Sequence, residues 1–338
     1  MNYPIDVTAS GAVVLGPEVI CDGFRSDRKI RVQTHVHDDH MGGFNRSKGY
    51  CDAIVCSRET RALLVAEFDA DLNHRPDLLG IDLGNNVKLK TSSIELLPSE
   101  HILGSAQAAV TTADGLRLGY SGDFGWPLNE VIQVEALVVD STYGIPQRIR
   151  HYTQGDANGA FVKLVAESCR TGPVHVKAYR GTIQRALKLL FGETLTPILV
   201  SPVLMRDVNV YRHFGYSIPP LCVTSSHQAH AAMEQKKFIR FYGKSDIIPS
   251  RIEGTEIVLS GFMSDPCSPI QCWSPGRYTI AMSDHADFNG TLEYVRATGA
   301  KYVVTDNTRA YGVELAFQIQ QRLGIAATWS SNSESPQW

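Results

Sequence analysis

The chain of 338 residues lacks several features that would classify it quickly. No run approaches the roughly 18 uninterrupted apolar residues that a membrane-spanning helix requires, so no membrane role is expected. The opening MNYPIDVTAS has no basic stretch leading into an apolar one, and no export signal is read there. Among seven cysteines (Cys21, Cys51, Cys56, Cys169, Cys222, Cys267 and Cys272) there is no C-x-x-C pair. An odd, scattered set without an export signal reads as reduced, mostly buried thiols in a cytoplasmic protein. Charge of one sign is missing too. The formal net charge is -3, so no global basic field announces nucleic acid, and such a partner would need a local basic groove. There is no internal repeat and no low-complexity tract.

What is present is an ordinary globular composition, 43% hydrophobic and 20% charged, long enough for one large domain or two moderate ones. The first half alternates short β-rich runs with Gly or Asp punctuation: GAVVLG, PEVICDG, KIRVQTH, CDAIVC, NVKLKT, IELLPS, AAVTTADGLRLGYS and ALVVDS. RETRALLVAEF has helical spacing, with Ser57 as its N-cap. So many strands before the first long helix predict a layered α/β sandwich in place of a doubly wound sheet. After Ser141-Thr142-Tyr143-Gly144 helix and strand alternate, as in a parallel α/β unit: ANGAFVKLVAESCRTG, PVHVKAY, GTIQRALKLLFG, TPILVSP. From about residue 275 short elements return: RYTIAMS, FNGTLEYVRATG, AKYVVTD and VELAFQIQQRLG. The expectation is one α/β domain inserted into another, with residues 1–145 and 275–338 forming the host and 146–274 the insert. The closing SSNSESPQW reads as a frayed tail.

The chemistry concentrates in Thr34-His35-Val36-His37-Asp38-Asp39-His40. Residues two apart in extended chain point the same way, so His35 and His37 can present imidazoles to one ion. Asp39 and His40 fall where the strand turns over and can face a second ion. Zinc accepts this mixture of His nitrogen and Asp oxygen, and sites that keep an open position are the catalytic ones. Other polar residues arrive just after expected strands: His101 after IELLPSE, Asp123 after LRLGYSG, Asp140 after ALVV, His285 after YTIAMSD and Asp306 after YVVT. Singly, Asp123 is a turn residue, Asp140 a helix cap and Asp306 a surface acid. Together with the histidine cluster they point to one crevice lined by strand ends.

The ordered set resembles the metallo-β-lactamase superfamily, whose H-x-H-x-D-H signature stands here as His35-Val36-His37-Asp38-Asp39-His40. Glu100-His101-Ile102-Leu103-Gly104-Ser105-Ala106, Ser121-Gly122-Asp123-Phe124, Asp140-Ser141-Thr142-Tyr143-Gly144 and Ser283-Asp284-His285-Ala286-Asp287 narrow the resemblance to its β-CASP nucleases. HILGSAQ, KAYRGTIQRALKLL and SPVLMRDVNVYRHFGY look most like the DNA-ligase-associated exonucleases of bacteria and their archaeal relatives. The resemblance spans nearly the whole chain. It implies an αββα sandwich with an inserted α/β β-CASP domain. His35, His37, His101 and Asp123 would hold a first zinc, Asp123 would bridge, and Asp39 and His40 would contribute to a second. Asp39, His285 and Asp140 would be catalytic, His285 lying near the scissile phosphate as a phosphate contact or general acid oriented by Asp140. RNA-processing members place a His-Gly after the strand that here reads Tyr302-Val303-Val304-Thr305. This chain has Asp306-Asn307, similar to the Artemis-like DNA nucleases. Asp306 as an oxygen ligand would give a harder second position, suited to Mn²⁺ or Mg²⁺.

The implied activity is zinc-dependent hydrolysis of phosphodiesters in single-stranded DNA or RNA, with end-dependent DNA exonuclease action first and RNA processing as the rival. A lactonase- or thioesterase-like small-molecule hydrolase is a more distant reading. A ligase, a helicase or another nucleic-acid-processing protein is the expected partner. Lys177, Arg180 and Gly181 of the insert, with Ser283 of the return segment, are candidate substrate contacts; Tyr179 can stack on a base, and the helix opened by Gly181 can offer amides to a phosphate. Arg148, Arg150 and His151 add basic character. Arg185 and Lys188 read as solvated helix-face charges, and His74, His175, His213, His227 and His230 as surface or linker residues.

Overall fold

The structure, a computed structural model, describes residues 3–330 except 245, 250, 251, 263, 264 and 309. Among the described residues it is a mixed α/β protein with three sheets and eight α-helices. It divides into two compact units, one formed by Met1–Ile149 with His285–Trp338 and the other by Arg150–Asp284. Among the described residues no helix is long and apolar enough to cross a membrane.

In the first unit two sheets stack face to face. The first runs in chain order through Ile5–Val7, Val13–Leu15, Val19–Cys21, Ile30–Val32, Ala53–Ser57 and Leu78–Ile81. The second runs Ala326–Trp329, Tyr302–Thr305, Ala136–Val139, Arg117–Tyr120, Ala106–Thr111, Ser93–Pro98 and Asn86–Lys88. Strand alternation explains the layering. Val138 joins Val7, Val13, Val32 and Val55 in the core between the sheets. Its neighbours Leu137 and Val139 turn the other way, onto Phe288, Leu292, Leu315 and Ile319 of the helices Phe288–Ala297 and Gly312–Leu323. Each such side chain contributes about 1.5–3 kcal/mol of burial. The helix Arg58–Glu67 lies against the strands Ala53–Ser57 and Leu78–Ile81 of the first sheet. Its expected cap is present, Ser57 Oγ accepting from the Thr60 amide at 3.0 Å.

The second unit carries the sheet Leu221–Val223, Ile198–Val200, Ile239–Tyr242, Val174–Lys177, Thr255–Ser260, Arg277–Ala281 and Ile270–Ser274. All neighbours are parallel except the last pair. Here the sequence reading needs correction. Arg277–Ala281, expected to begin the return segment at 275, pairs in parallel with Thr255–Ser260, and the chain returns to the first unit only at His285. A short β-rich run says strand but not which sheet takes it. The helix expected from Ala157 starts earlier, at Gln154, because Thr153 and Asp156 form a reciprocal capping box. Of the stretch read as a frayed tail, 331–338 lie outside the described residues, while Ser330 is buried. All seven cysteines are free, but only Cys21, Cys51 and Cys56 are buried; Cys267 and Cys272 are exposed, so "mostly buried" fails for this set.

Candidate metal centre

The site is built where strands stop. Ile30–Val32 runs on through Gln33 and Thr34 to His35 and His37, and the turn Asp38–His40 follows. The Thr34 carbonyl accepts from the Ala106 amide at 3.1 Å, tying this strand end to the opposite sheet. Arg117–Tyr120, Ala136–Val139 and Tyr302–Thr305 are parallel and in register, so Asp123, Asp140 and Asp306 leave the same edge of the second sheet. Two glycines let the loops close. A Cβ on Gly122, whose φ is +57°, would stand 2.7 Å from the Ala106 carbonyl oxygen; one on Gly104, at φ +75°, would stand 2.5 Å from Ser57 Oγ. The Ser105 hydroxyl accepts from the His101 and Ile102 amides, both at 3.1 Å, and so shapes the loop that carries His101.

These loops bring His35, His37, His101 and Asp123 together with their donor atoms within 4.8 Å of one another. His35 Nε2 lies 3.2 Å from His37 Nδ1, and His101 Nε2 lies 3.0 Å from the same atom. Asp123 Oδ2 stands 3.7 Å from His35 Nε2 and 3.6 Å from His101 Nε2. Four donors at tetrahedral corners, each about 2.0–2.1 Å from one ion, would stand about 3.3 Å apart. Hydrogen-bond order assigns the His35 tautomer. Thr34 Oγ1 donates to Asp22 Oδ2 at 2.5 Å, so at 3.0 Å it accepts from His35 Nδ1, leaving a lone pair on Nε2. Burial, reinforced by His40, holds the His35 pKa well below its ordinary value, so the ring is neutral. A lone pair aimed at a carboxylate is repulsive unless a cation lies between them, and the donor set fits a divalent ion on that ground.

His40 is prepared differently. Its Nδ1 donates to Asp22 Oδ2 at 2.7 Å, and its Nε2 lies 3.2 Å from Asp123 Oδ1 and 3.8 Å from Asp39 Oδ2. Burial opposes its charge, yet Asp123 and Asp22 on either side outweigh that and raise its pKa to about 10. Burial likewise pushes the Asp123 carboxyl up, but His40, His285 and His35 overcome it and hold it well below the usual range. Asp22, His35 and His40 also lie close enough to form a ligand group. Asp22 is better read as an orienting acid, because its two oxygens already accept from Thr34 N, Thr34 Oγ1, Gln33 Nε2 and His40 Nδ1. Sequence reasoning missed Asp22. The signal was available, since it too follows a strand, Val19–Cys21.

His285 donates from Nδ1 to Asp140 Oδ2 at 3.0 Å and faces Asp123 Oδ2 with Nε2 at 3.9 Å. Asp140 Oδ1 is held by the amide and hydroxyl of Thr142, at 3.0 and 2.7 Å. Asp123, Asp140 and His285 form a third ligand group. Asp306 enters none of the three among the described residues. Its Oδ1 instead accepts from the Thr308 amide at 2.8 Å and hydroxyl at 2.6 Å, an Asx turn that explains an acid at this strand end. Asp39 also lies outside the three groups.

The expected substrate contacts all belong to the second unit. Lys177 ends the strand Val174–Lys177 and is exposed, as is Tyr179. Arg180 Nε lies 3.4 Å from the buried Asp207. The Gly181 amide, offered above to a phosphate, donates to Gln184 Oε1 at 2.8 Å. Ser283 is buried. Arg185 is not a solvated charge: it bonds Asp284 Oδ1 at 2.5 Å, Asn158 Oδ1 at 2.8 Å and Gln154 Oε1 at 3.1 Å. Lys188 is exposed, over the Tyr216 ring. His175, expected at the surface, is buried because its strand is paired on both sides.

The fold and this centre define a mixed α/β protein whose histidines and aspartates cluster in groups that could hold a metal ion. Over 140 residues the chain is 37% identical to the "Uncharacterized protein in lig 3'region" of Acidianus ambivalens, a match covering 40% of this chain and 99% of that protein. The chain belongs to the family of that protein. It is also 23% identical over 318 residues to a protein of Opitutus terrae named "Probable DNA ligase"; this covers 89% of the chain but spans only 28% of that protein's length. A crystal structure of a protein of unknown function from Enterococcus faecalis shares the fold, with a TM-score of 0.63, 14% identity and coverage of 92% of this chain and 82% of that one. No protein-family model matches the chain.

Proposed function

We propose that the chain is a metal-dependent nuclease that hydrolyses phosphodiesters in DNA processing, its first unit a metallo-β-lactamase sandwich and its second an inserted β-CASP domain. The observation that carries the reading is the convergence of His35, His37, His101 and Asp123, four residues from three separate loops, with their donor atoms within 4.8 Å of one another. Zinc suits the three imidazoles and one carboxylate. Asp39 and His40, with Asp123 shared, would hold a second ion. An ion held there would supply Lewis acidity, toward a water and toward phosphate oxygens. His285, its Nδ1 proton engaged by Asp140, offers Nε2 to protonate a departing oxygen or steady the phosphate. Relatives named for the lig 3' region and for a probable DNA ligase support DNA over RNA as substrate, and support work beside a ligase.

End-labelled single-stranded DNA and RNA, incubated with zinc- or manganese-loaded protein, test this directly. The expected outcome is a ladder from DNA that reveals the polarity of digestion. Asp39→Ala/His40→Ala and Asp123→Ala should each cut more slowly by about 100-fold or more. Cleavage of RNA alone would favour the RNA-processing reading. Cleavage of neither polymer would leave a small-molecule metallohydrolase.

A further inference from the structure

Arg31 and Gln33 are wholly buried polar residues on the strand leading to His35. A guanidinium at 0% exposure is costly unless its N–H groups find acceptors, and here they do. Nη1 donates to the carbonyls of Gly23 and Gly42, both at 2.9 Å, and to Ser47 Oγ at 3.1 Å. Nη2 donates to the His40 carbonyl at 3.0 Å, and Nη2 and Nε both reach Gln33 Oε1, at 2.6 and 3.0 Å. With its Oε1 so fixed, Gln33 turns Nε2 toward the His35 carbonyl at 2.6 Å, the His40 carbonyl at 3.1 Å and Asp22 Oδ1 at 3.2 Å. The Phe44 ring lies 5.1 Å beneath the guanidinium.

The acceptors are not scattered. The His40 and Gly42 carbonyls belong to the turn that presents Asp39 and His40, and Asp22 fixes the His40 ring. Of the four-ligand group only His35 takes a bond from this pair, at its carbonyl; the His37, His101 and Asp123 backbones receive nothing in these bonds. We infer that Arg31 and Gln33 are positioning residues for the Asp39–His40 arm of the centre: a buried cation orders an amide, the amide orders Asp22, and Asp22 orders His40. The inference rests on the metal-centre reading for its metal readout alone.

Two variants test it, Gln33→Leu and Arg31→Lys, the second keeping the charge without the planar fork of donors. In chelator-treated protein, nitrogen NMR of labelled histidine should show one His40 signal set in the parent, protonated at Nδ1. Gln33→Leu should split or broaden His40 while leaving His175 unchanged. Zinc competition against a chromophoric chelator should then show the His40-containing position weakened about 10- to 100-fold, and the His35/His37/His101/Asp123 position by less than about 3-fold. His40 signals in both variants matching the parent would overturn the inference. So would equal weakening at both positions accompanied by a disturbed His175, which marks general loosening. A parent that takes up no zinc would sink the metal-centre reading instead, and the NMR comparison would still decide the role of Arg31 and Gln33.

Discussion

Both units use parallel strands whose ends support loops, yet the ends carry opposite chemistry. In the first unit Asp123, Asp140 and Asp306 follow three adjacent strands, and Asp123 faces histidines. In the second unit Arg180 and Gly181, Ser201 and Gly243 follow Val174–Lys177, Ile198–Val200 and Ile239–Tyr242. There the polar groups answer one another. Ser201 Oγ caps its helix through Leu204 N at 3.2 Å, Asp246 accepts from the Gly243 amide at 2.9 Å, Gln184 accepts from Gly181, and Arg180 meets Asp207. The first unit instead aims a histidine lone pair at a carboxylate, an arrangement that costs stability unless something positive is shared. Strand ends are a neutral framework; what separates a site from a cap is whether acceptors face donors or other acceptors.

The sharpest way to break that contrast lies at His285. Its bond to Asp140 is a donor–acceptor pair of the second unit's kind, placed beside the acceptor-rich cluster. His285→Ala removes no member of the four-ligand group, so metal content should remain near the parent's while DNA cleavage falls about 10²- to 10⁴-fold. Asp140→Asn, which keeps a hydrogen bond but not the charge, should cost less. Metal analysis beside single-turnover rates reads both. Parent-level cleavage by His285→Ala would remove it from the mechanism, and loss of the metal would make it a ligand.

The same contrast explains what the residues disclosed in advance. His35, His37 and His40 are adjacent, so their spacing and the strand period suffice to bring them together. His101, Asp123, Asp140 and His285 were singled out by one rule, a polar residue after a strand. That rule applied equally to Asp306, which turned out to form an Asx turn, and it overlooked Asp22, whose position after PEVIC read as punctuation. Arg31 and His175 were illegible for one reason. Strand alternation assigns polar residues to the solvent side, but both strands are paired on either flank and covered, so the polar residue is buried and must be satisfied internally. Sheet membership of Arg277–Ala281 was illegible because pairing partners lie far away in sequence.

Arg185 gives a smaller, purely structural test. It ties the helix Thr182–Leu189 to Gln154 and Asn158 of the helix Gln154–Ser168 and to Asp284, at about a fifth exposure. Arg185→Ala leaves several acceptors short of donors and should lower stability by about 1–3 kcal/mol, while Lys188→Ala on the same helix should stay within about 0.5 kcal/mol. Urea midpoints at matched m-values measure the difference. Equal effects would return Arg185 to the solvated class.

His175 offers the finest distinction, because it is a buried histidine with a proper partner. Its Nδ1 lies 2.8 Å from Tyr242 Oη, and its ring stacks on Tyr242 and meets Phe238 edge-on. Burial first, then the positive charge of Arg240, lowers its pKa from 6.5 to about 4; a hydrogen bond with the Glu253 backbone opposes them, and Arg277 adds a smaller downward push. Between those values the unfolded chain holds a proton that the folded chain does not. His175 therefore contributes stability that is present above about pH 6.5, is lost as pH falls through that window, and changes little further below about pH 4. The slope from this one group cannot exceed about 1.4 kcal/mol per pH unit. His175→Gln, compared with the parent by urea unfolding from pH 7 to pH 4.5, cancels the other titrating groups. The gap between the two proteins should shrink or reverse as the pH drops. A constant gap would mean that His175 takes up its proton at the same pH in the folded and unfolded chain, so that burial does not hold it neutral, whereas a gap that widened as the pH fell would mark a raised pKa of the kind the carboxylates give His40.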